Sequence, residues 1–208
     1  MPRRLAALAL TLPLAACAAP PLWEVMPLAA GARLAGVAQH EWSQRWWQWA
    51  YSFERARSPV ADRTGERCAS RQDGPVWFLA GAYGSQRVER TCRVPLGKSL
   101  FFPLVNFIFY SREGPTQDCA ELRRKVIEMA DDSDVLVLSI DGRRVDGLQA
   151  HRQTTPGCFS LVAGMPPDAA GSGYYVALPP LPKGEHRLEF GGVVSGLTQA
   201  ISYTLIVE

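Results

Sequence analysis

The sequence predicts a mainly β protein, an antiparallel β-sandwich that carries two helices. From residue 76 to the end of the chain, short segments rich in aromatic and β-branched residues alternate with turns that contain Gly or Pro. Only two segments have helical periodicity, and both come early. The 208 residues are 47% hydrophobic and 20% charged, which fits a single folded domain over residues 36–208.

The N-terminus has the pattern of a secretory signal. A short basic stretch (residues 1–4) precedes an apolar run (residues 5–16) that is too short to span a bilayer. The sequence LAAC, which ends at Cys17, resembles a bacterial lipobox and predicts a signal peptide over residues 1–16, with Cys17 lipidated. Ordinary cleavage after Ala18 is the alternative.

Residues 17–35 are rich in Ala and Pro and have no clear period, so we expect a poorly ordered tether between the lipid anchor and the domain. This organisation predicts an exported protein of the bacterial cell envelope. It would be anchored in the outer membrane and face the periplasm or the cell surface.

Charge excludes one class of partner. Arg3 and Arg4 leave with the signal, so 20 of the 22 basic residues remain and balance the 20 acidic residues. A mature chain near neutrality has no basic surface for nucleic acid. The expected partners are the membrane, through the anchor, and a glycan or another envelope protein.

The first helix is predicted near residues 36–55 and holds four of the six tryptophans. At about 100° per residue its side chains form two stripes. The first is wholly apolar, is expected to face the core, and consists of Trp42, Trp46, Trp49 and Phe53. The second, called here the polar stripe, consists of His40, Gln44, Trp47 and Tyr51. The polar stripe suits a sugar or another polar ring, or else is half-buried beneath the loop over residues 56–75.

The remaining elements follow in order. Residues 76–80 and 87–94 are predicted to form a hairpin, and residues 99–110 a strand buried on both faces with a bulge at Pro103. The second helix is predicted near residues 118–130, where Asp118 begins a capping box. An Asp-Gly turn after residue 140 and three further strand segments lead to a last strand that alternates well.

Four cysteines remain after the signal, and an even number in an exported protein indicates two disulfides. These residues are Cys68, Cys92, Cys119 and Cys158. Three connectivities are possible. The predicted hairpin favours Cys68–Cys92 with Cys119–Cys158, and the wide spacings do not fit a zinc or redox site. We expect no metal and no cofactor.

Two further residues are candidates for ligand contact. Asn106, the only asparagine, lies inside an apolar strand, where its amide must be hydrogen-bonded or cost about 1–3 kcal/mol. It would pin a loop or point into a pocket. Asp62 would cap a turn or, with backbone carbonyls, ligate a cation. His186 shares the inward face of its strand, where a hydrogen-bonded histidine is expected.

Several segments together resemble a widespread family of secreted bacterial proteins of unknown function. They are WWQWAYS, SPVADRTG, GPVWFLAG, RTCRVPLGKSLFFPLVN, IDGRRV and GYYVALPPLPKGEHRLEFGG. The resemblance covers roughly residues 40–207 and implies a β-sandwich whose last hairpin is similar to those of immunoglobulin-like domains. It implies no activity, but it draws attention to Asp62, Lys98, Asn106 and His186.

The predicted function is ligand binding in the cell envelope, with a glycan as a possible ligand. The candidate ligand-binding residues are His40, Gln44, Trp47, Tyr51, Asp62 and Asn106. The sequence has neither a G-x-S-x-G elbow nor an H-E-x-x-H motif, and no catalytic residue is assigned. A hydrolase of envelope polymer is the alternative, with an acidic or His–acid pair drawn from His40, Glu41, Glu54 and Asp62. A structural or assembly partner of other envelope proteins is the second alternative.

Overall fold

A computed structural model describes residues 25–111, 118–194 and 196–208 of the chain. Within these ranges, the two α-helices are α1 (Gln39–Tyr51) and α2 (Cys119–Asp131). Short 3-10 helices cover Arg55–Arg57 and Leu148–His151. The nine strands of the described part of the chain are β1 (Val76–Phe78), β2 (Gln86–Val94), β3 (Ser99–Tyr110), β4 (Ser133–Ile140), β5 (Arg143–Arg144), β6 (Arg152–Thr154), β7 (Ala169–Leu178), β8 (Gly184–Val194) and β9 (Leu197–Val207).

The strands form two packed sheets, which confirms the predicted β-sandwich with two helices. The first sheet has the order β1-β3-β7-β6 and the second has the order β2-β9-β8-β4-β5. Most neighbouring strands are antiparallel. The exceptions are two edge strands: β1 runs parallel to β3, and β2 runs parallel to β9.

The predicted hairpin between residues 76–80 and 87–94 is wrong. Strand β1 lies in the first sheet and β2 in the second, so the chain between them crosses from one sheet to the other. The intervening segment is too long to act as a tight two-residue turn, and it therefore does not force its flanking strands to pair. Each strand instead adds to the edge of a different sheet.

Strand β3 lies at the centre of the packing, as its apolar sequence predicts. Its first half contacts the second sheet through Phe102 and Leu104, both fully buried. Its second half contacts α2, where Phe107 and Phe109 pack against Leu122 and Val126. The predicted bulge is present, because the pairing of β3 with β7 shifts register between Pro103 and Val105.

Helix α1 covers the outer face of the first sheet. Trp42, Trp46 and Trp49 are buried there, and their indole N–H groups donate to Leu34 O, Leu79 O and Ser70 O at 2.8–3.0 Å. This confirms that the apolar stripe belongs to the core. The helix ends at Tyr51 rather than at residue 55, and Phe53 lies beyond it, half-buried and 6.0 Å from the Trp49 ring.

Part of the predicted tether belongs to the folded domain. The predicted signal peptide (residues 1–16), Cys17 and the first part of the predicted tether lie outside the described residues. Residues 25–35 belong to the domain, because Val25 and Leu34 are buried in its clusters. The Gln39 side chain also donates to Ala29 O and Ala32 O, at 2.7 and 3.0 Å, and so fixes this segment against α1.

Both disulfides of the favoured connectivity are present, Cys68–Cys92 and Cys119–Cys158. The first joins the loop after α1 to β2, so the pairing is correct although the hairpin from which it was inferred is not. The second joins the start of α2 to the segment before β7. Asp118 caps α2 by accepting from Ala120 N at 3.1 Å, whereas Glu121 pairs with Lys125 instead of completing a capping box.

The Asp-Gly turn between β4 and β5 is confirmed, with φ of 50° at Asp141 and 79° at Gly142, as a type I′ hairpin requires. The last strand also buries its predicted face, which carries Ile201, Tyr203 and Leu205. Within the three described ranges, no helix has the length and apolar character needed to cross a membrane.

Candidate functional site

A cavity of about 160 Å³ lies at one end of the sandwich, beside α1. Its wall includes Trp47 and Tyr51 from α1, Tyr83 from the segment that crosses between the sheets, Asn106 from β3 and Gln199 from β9. We call it the end cavity. It contains two of the four residues of the predicted polar stripe, together with Asn106.

The end cavity exists because β1 is short. Strand β1 pairs only with Ser99–Phe101 of β3, and in the described part of the chain no other strand continues along that edge. The chain leaves β1 towards the second sheet, so a gap remains between the second half of β3, α1 and the β8–β9 hairpin. Aromatic side chains surround this gap without filling it.

The bulge in β3 decides which way Asn106 faces. Before the bulge, Phe101 packs on the α1 side and Phe102 on the side of the second sheet. After it the alternation is reversed, so that Val105 faces the second sheet and Ile108 faces α1. Asn106 therefore points towards α1, where its Nδ2 donates to the Tyr175 hydroxyl at 3.0 Å.

Trp47 forms a wall of the end cavity rather than an exposed platform, because it is only 9% exposed. It packs against Gly171 of β7, where an added Cβ would stand 3.1 Å from its Nε1. Its ring also contacts Tyr51 edge to face at 6.0 Å. Within the described residues, its buried N–H has no partner in normal hydrogen-bond geometry. It is nevertheless close enough to the Tyr175 hydroxyl to exert a lowering influence on the pKa of that group.

The end cavity has an uncharged wall. Tyr175 accepts from Asn106 but does not itself line the cavity. Burial raises the pKa of Tyr175 strongly, and the opposing hydrogen-bonding influence of Asn106 and Trp47 does not cancel this effect. The hydroxyl therefore stays protonated throughout the physiological range. Among the described residues that line the cavity there is no Asp, Glu, His, Lys or Arg. The site suits a neutral ligand group.

The other three predicted ligand-binding residues are not part of this wall. His40 and Gln44 are half-buried on α1 but do not line the end cavity. The polar stripe is therefore divided, because α1 packs against the sheet along Trp46 and only the C-terminal end of the stripe reaches the cavity.

Asp62 has the structural role of a turn cap. Its Oδ1 accepts from Thr64 N and Thr64 Oγ1 at 3.0 and 3.1 Å, and its Oδ2 accepts from Arg67 N at 2.8 Å. Burial alone would raise the pKa of this carboxyl, but the hydrogen bonds outweigh burial and lower the pKa below its usual value. Both carboxylate oxygens of Asp62 therefore accept hydrogen bonds from residues of its own loop.

Arg90 is a structural support of the site that sequence reasoning did not single out. It is only 3% exposed and donates to Asp62 O at 2.8 Å, Ala80 O at 2.6 Å and the Tyr203 hydroxyl at 2.9 Å. These contacts tie the loop around Asp62 to the segment that forms one side of the end cavity. The signal in the sequence is a charged residue at an inward position of an alternating strand.

The two other residues to which the resemblance drew attention also serve the fold. His186 is buried, and its ring nitrogens lie 2.9 Å from Asp141 Oδ2 and from Pro182 O. This confirms the expected hydrogen-bonded inward histidine, which links β8 to the β4–β5 turn. Lys98 donates to Gly74 O.

Two of the three carboxylates of the hydrolase alternative are engaged elsewhere or exposed, and the third, Glu41, is half-buried on α1 and does not line the end cavity. Glu54 is exposed and pairs with Arg57 at 3.6 Å, and Asp62 is held by its own loop. Within the described part of the chain, no group of three or more His, Cys, Asp or Glu side chains could hold a metal ion.

Comparison with known proteins supplies no family. No protein-family model matches the sequence, and no curated protein matches it. A solved structure described as the solution structure of amebosin aligns with 57% of this chain and 89% of its own, at 10% sequence identity and a TM-score of 0.21. That likeness is too low to carry an argument about fold or function.

Proposed function

We propose that this protein is a cell-envelope binding module whose ligand places one neutral ring in the end cavity. The observation that carries the proposal is the wall itself: Trp47, Tyr51 and Tyr83 supply apolar surface, and the amides of Asn106 and Gln199 supply polar contacts. Pockets that bind small molecules have this combination of mostly apolar walls and few polar groups.

The size of the cavity limits the ligand. Its volume of about 160 Å³ is close to that of an engineered cavity of about 150 Å³ that binds benzene. One six-membered ring is therefore the group that fits. A ring with a single polar substituent, such as a phenol, matches two amides better than a sugar ring does, because a sugar needs partners for several hydroxyls.

A fluorescence titration tests the proposal, since Trp46 and Trp47 both line the end cavity. We expect phenol to change the tryptophan emission saturably and Ala82→Leu, which fills the cavity, to abolish the change. Ala120→Leu, at an exposed position on α2, is the control and should bind as the wild type does. If tryptophan emission does not change when phenol is added, or if Ala82→Leu responds as the wild type does, the end cavity is not the binding site. A glycan array on the same variants tests the glycan ligand directly.

Export is supported by the two disulfides, which are typical of oxidising compartments. We extend the proposal to lipidation at Cys17 and anchoring in the outer membrane, on the basis of the signal pattern. Metabolic labelling with an alkyne fatty acid tests this step. The wild type should incorporate label and Cys17→Ser should not; equal labelling of both would refute lipidation at this residue.

Binding is better supported than hydrolysis, because the cavity wall lacks carboxylates and histidines among the described residues. A role as an assembly partner is a second candidate, favoured by Val135 and Val137, which are 47% and 41% exposed. Sedimentation of the mature domain would test it. An oligomer that Val137→Thr dissociates would support assembly through this face, whereas a monomer at all concentrations would count against it.

A further inference from the structure

We propose a second binding site, independent of the end cavity, that takes a ring bearing a carboxylate, such as a uronic acid residue of an acidic polysaccharide. The site is a groove of about 330 Å³ on the other flank of α1. It is lined by Trp42, Arg45, Trp49, Arg71 and Phe78, with Asp73 at its margin. We call it the arginine groove.

Aromatic side chains form the floor of the arginine groove. Trp42 and Trp49 lie 6.0 and 5.5 Å from Phe78, measured between ring centroids. The two tryptophans are each 6% exposed, whereas Phe78 is half-buried and so offers part of its ring to the groove. The volume reaches the lower end of the range for small-molecule sites, about 300–1,000 Å³. A pyranose ring can lie against such a floor.

Two cations lie at the rim without acidic partners. The Arg45 guanidinium carbon is 4.6 Å from the Trp42 ring centre, and that of Arg71 is 4.7 Å from the Phe53 ring centre. Within the described residues, neither arginine forms an ion pair with a carboxylate. Stacking on an aromatic ring fixes the plane of a guanidinium and leaves N–H groups on its edge available for a carboxylate.

The position of Arg71 is held by the backbone as well as by stacking. Its φ of 49° lies in the left-handed region, which a residue other than Gly adopts only where the surroundings impose it. Its guanidinium donates to Ser52 O, immediately after α1. The cation is therefore held against the helix in advance of any ligand, which lowers the entropy lost on binding.

Asp73, the one acid among the described residues that line the arginine groove, does not neutralise these cations. Asp73 Oδ1 accepts from Gly74 N at 2.7 Å, so this carboxylate caps its own turn. A ligand carboxylate is repelled by Asp73 and attracted by Arg45 and Arg71. The expected orientation places the ring on Phe78 and the carboxylate on the side of α1. A neutral sugar gains the stacking but not the ionic contacts.

Calorimetric titration of the mature protein with the trimer of galacturonic acid tests the inference, with the neutral trimer maltotriose as the comparison. We expect the acidic trimer to bind about tenfold more tightly or better, and Arg45→Gln and Arg71→Gln each to weaken it about tenfold, as for loss of a hydrogen bond to a charged group. Arg143→Gln, an exposed substitution on β5, is the matched control and should change nothing.

Three results would overturn the inference. They are equal affinity for the acidic and neutral trimers, no detectable binding of the acidic trimer at about 10 mM, and equal weakening by Arg143→Gln and Arg45→Gln. The variant Ala82→Leu separates this site from the end cavity. It should abolish the phenol response while leaving the acidic trimer bound as in the wild type, and loss of both would place the acidic trimer in the end cavity instead.

Discussion

Replacing Arg90 by Met should destabilise the domain strongly, because the guanidinium is buried and holds two loops together. Its three shortest hydrogen bonds, to Asp62 O, Ala80 O and the Tyr203 hydroxyl, measure 2.6–2.9 Å. Hydrogen bonds from a charged donor contribute about 1.5–3 kcal/mol each. Methionine removes these contacts, but it also removes the several kcal/mol that it costs to bury a charge. We expect a net loss of about 2–4 kcal/mol in the free energy of unfolding.

Urea unfolding of the disulfide-intact protein, followed by tryptophan fluorescence, measures this loss. With a slope of about 2 kcal/mol per molar urea, the midpoint should fall by about 1–2 M. Arg87→Met is the matched control, since Arg87 is exposed on the same strand, and its midpoint should move by less than about 0.3 M. If Arg90→Met behaves like Arg87→Met, the buried contacts do not stabilise the fold and the reasoning fails.

Three further predictions concern the loops and the sheet around the site. Selective removal of the Cys119–Cys158 bridge should lower the free energy of unfolding by about 4 kcal/mol, since it closes a loop of 39 residues; thermal unfolding of a double Cys→Ser variant measures this, and an unchanged midpoint would contradict it. Asp62→Asn should destabilise the protein at pH 7. Because folding lowers the pKa of Asp62, its contribution is present above the unfolded pKa and disappears as pH falls through the folded pKa. Urea midpoints of wild type and variant should therefore converge in acid, and a gap that persists there would refute the assignment. Gly173→Ala should cost about 1–3 kcal/mol, since its Cβ would stand 2.5 Å from a backbone oxygen of β3. Gly157→Ala, with nothing within 4 Å, should be nearly neutral, and equal urea midpoints for the two variants would contradict the predicted clash.

Local features of the fold were predictable because the sequence determines them locally. The apolar run in β3 and the proline inside it predict burial on both faces and a bulge. The bulge is present, and residues 100–105 are buried on both faces, whereas residues 106–110 are half-buried. The parallel pairing of β1 with β3, and of β2 with β9, was not predictable. Parallel pairing between separate segments leaves no local pattern in the sequence of either strand. A hairpin was the natural expectation for two neighbouring strand segments.

The candidate site was predictable only in part for a similar reason. Helical periodicity separates Trp47 from Trp42 and Trp46, but it does not show what covers each face of the helix. Because Gly171 has no Cβ, the Trp47 ring can pack against β7, and Trp47 is therefore buried in the cavity wall instead of forming an exposed platform. The burial of Arg90 likewise depends on carbonyl groups brought together by the fold.

Binding of a neutral ring in the end cavity can be followed through the chemical shifts of the tryptophan indole N–H groups. On titration with phenol, the Trp47 indole signal and the Asn106 side-chain amide should shift together and saturate. The signals of Trp42 and Trp49, whose N–H groups donate to backbone oxygens on the other flank of α1, should stay in place. Unmoved Trp47 and Asn106 signals, or equal shifts at Trp42 and Trp49, would contradict the account.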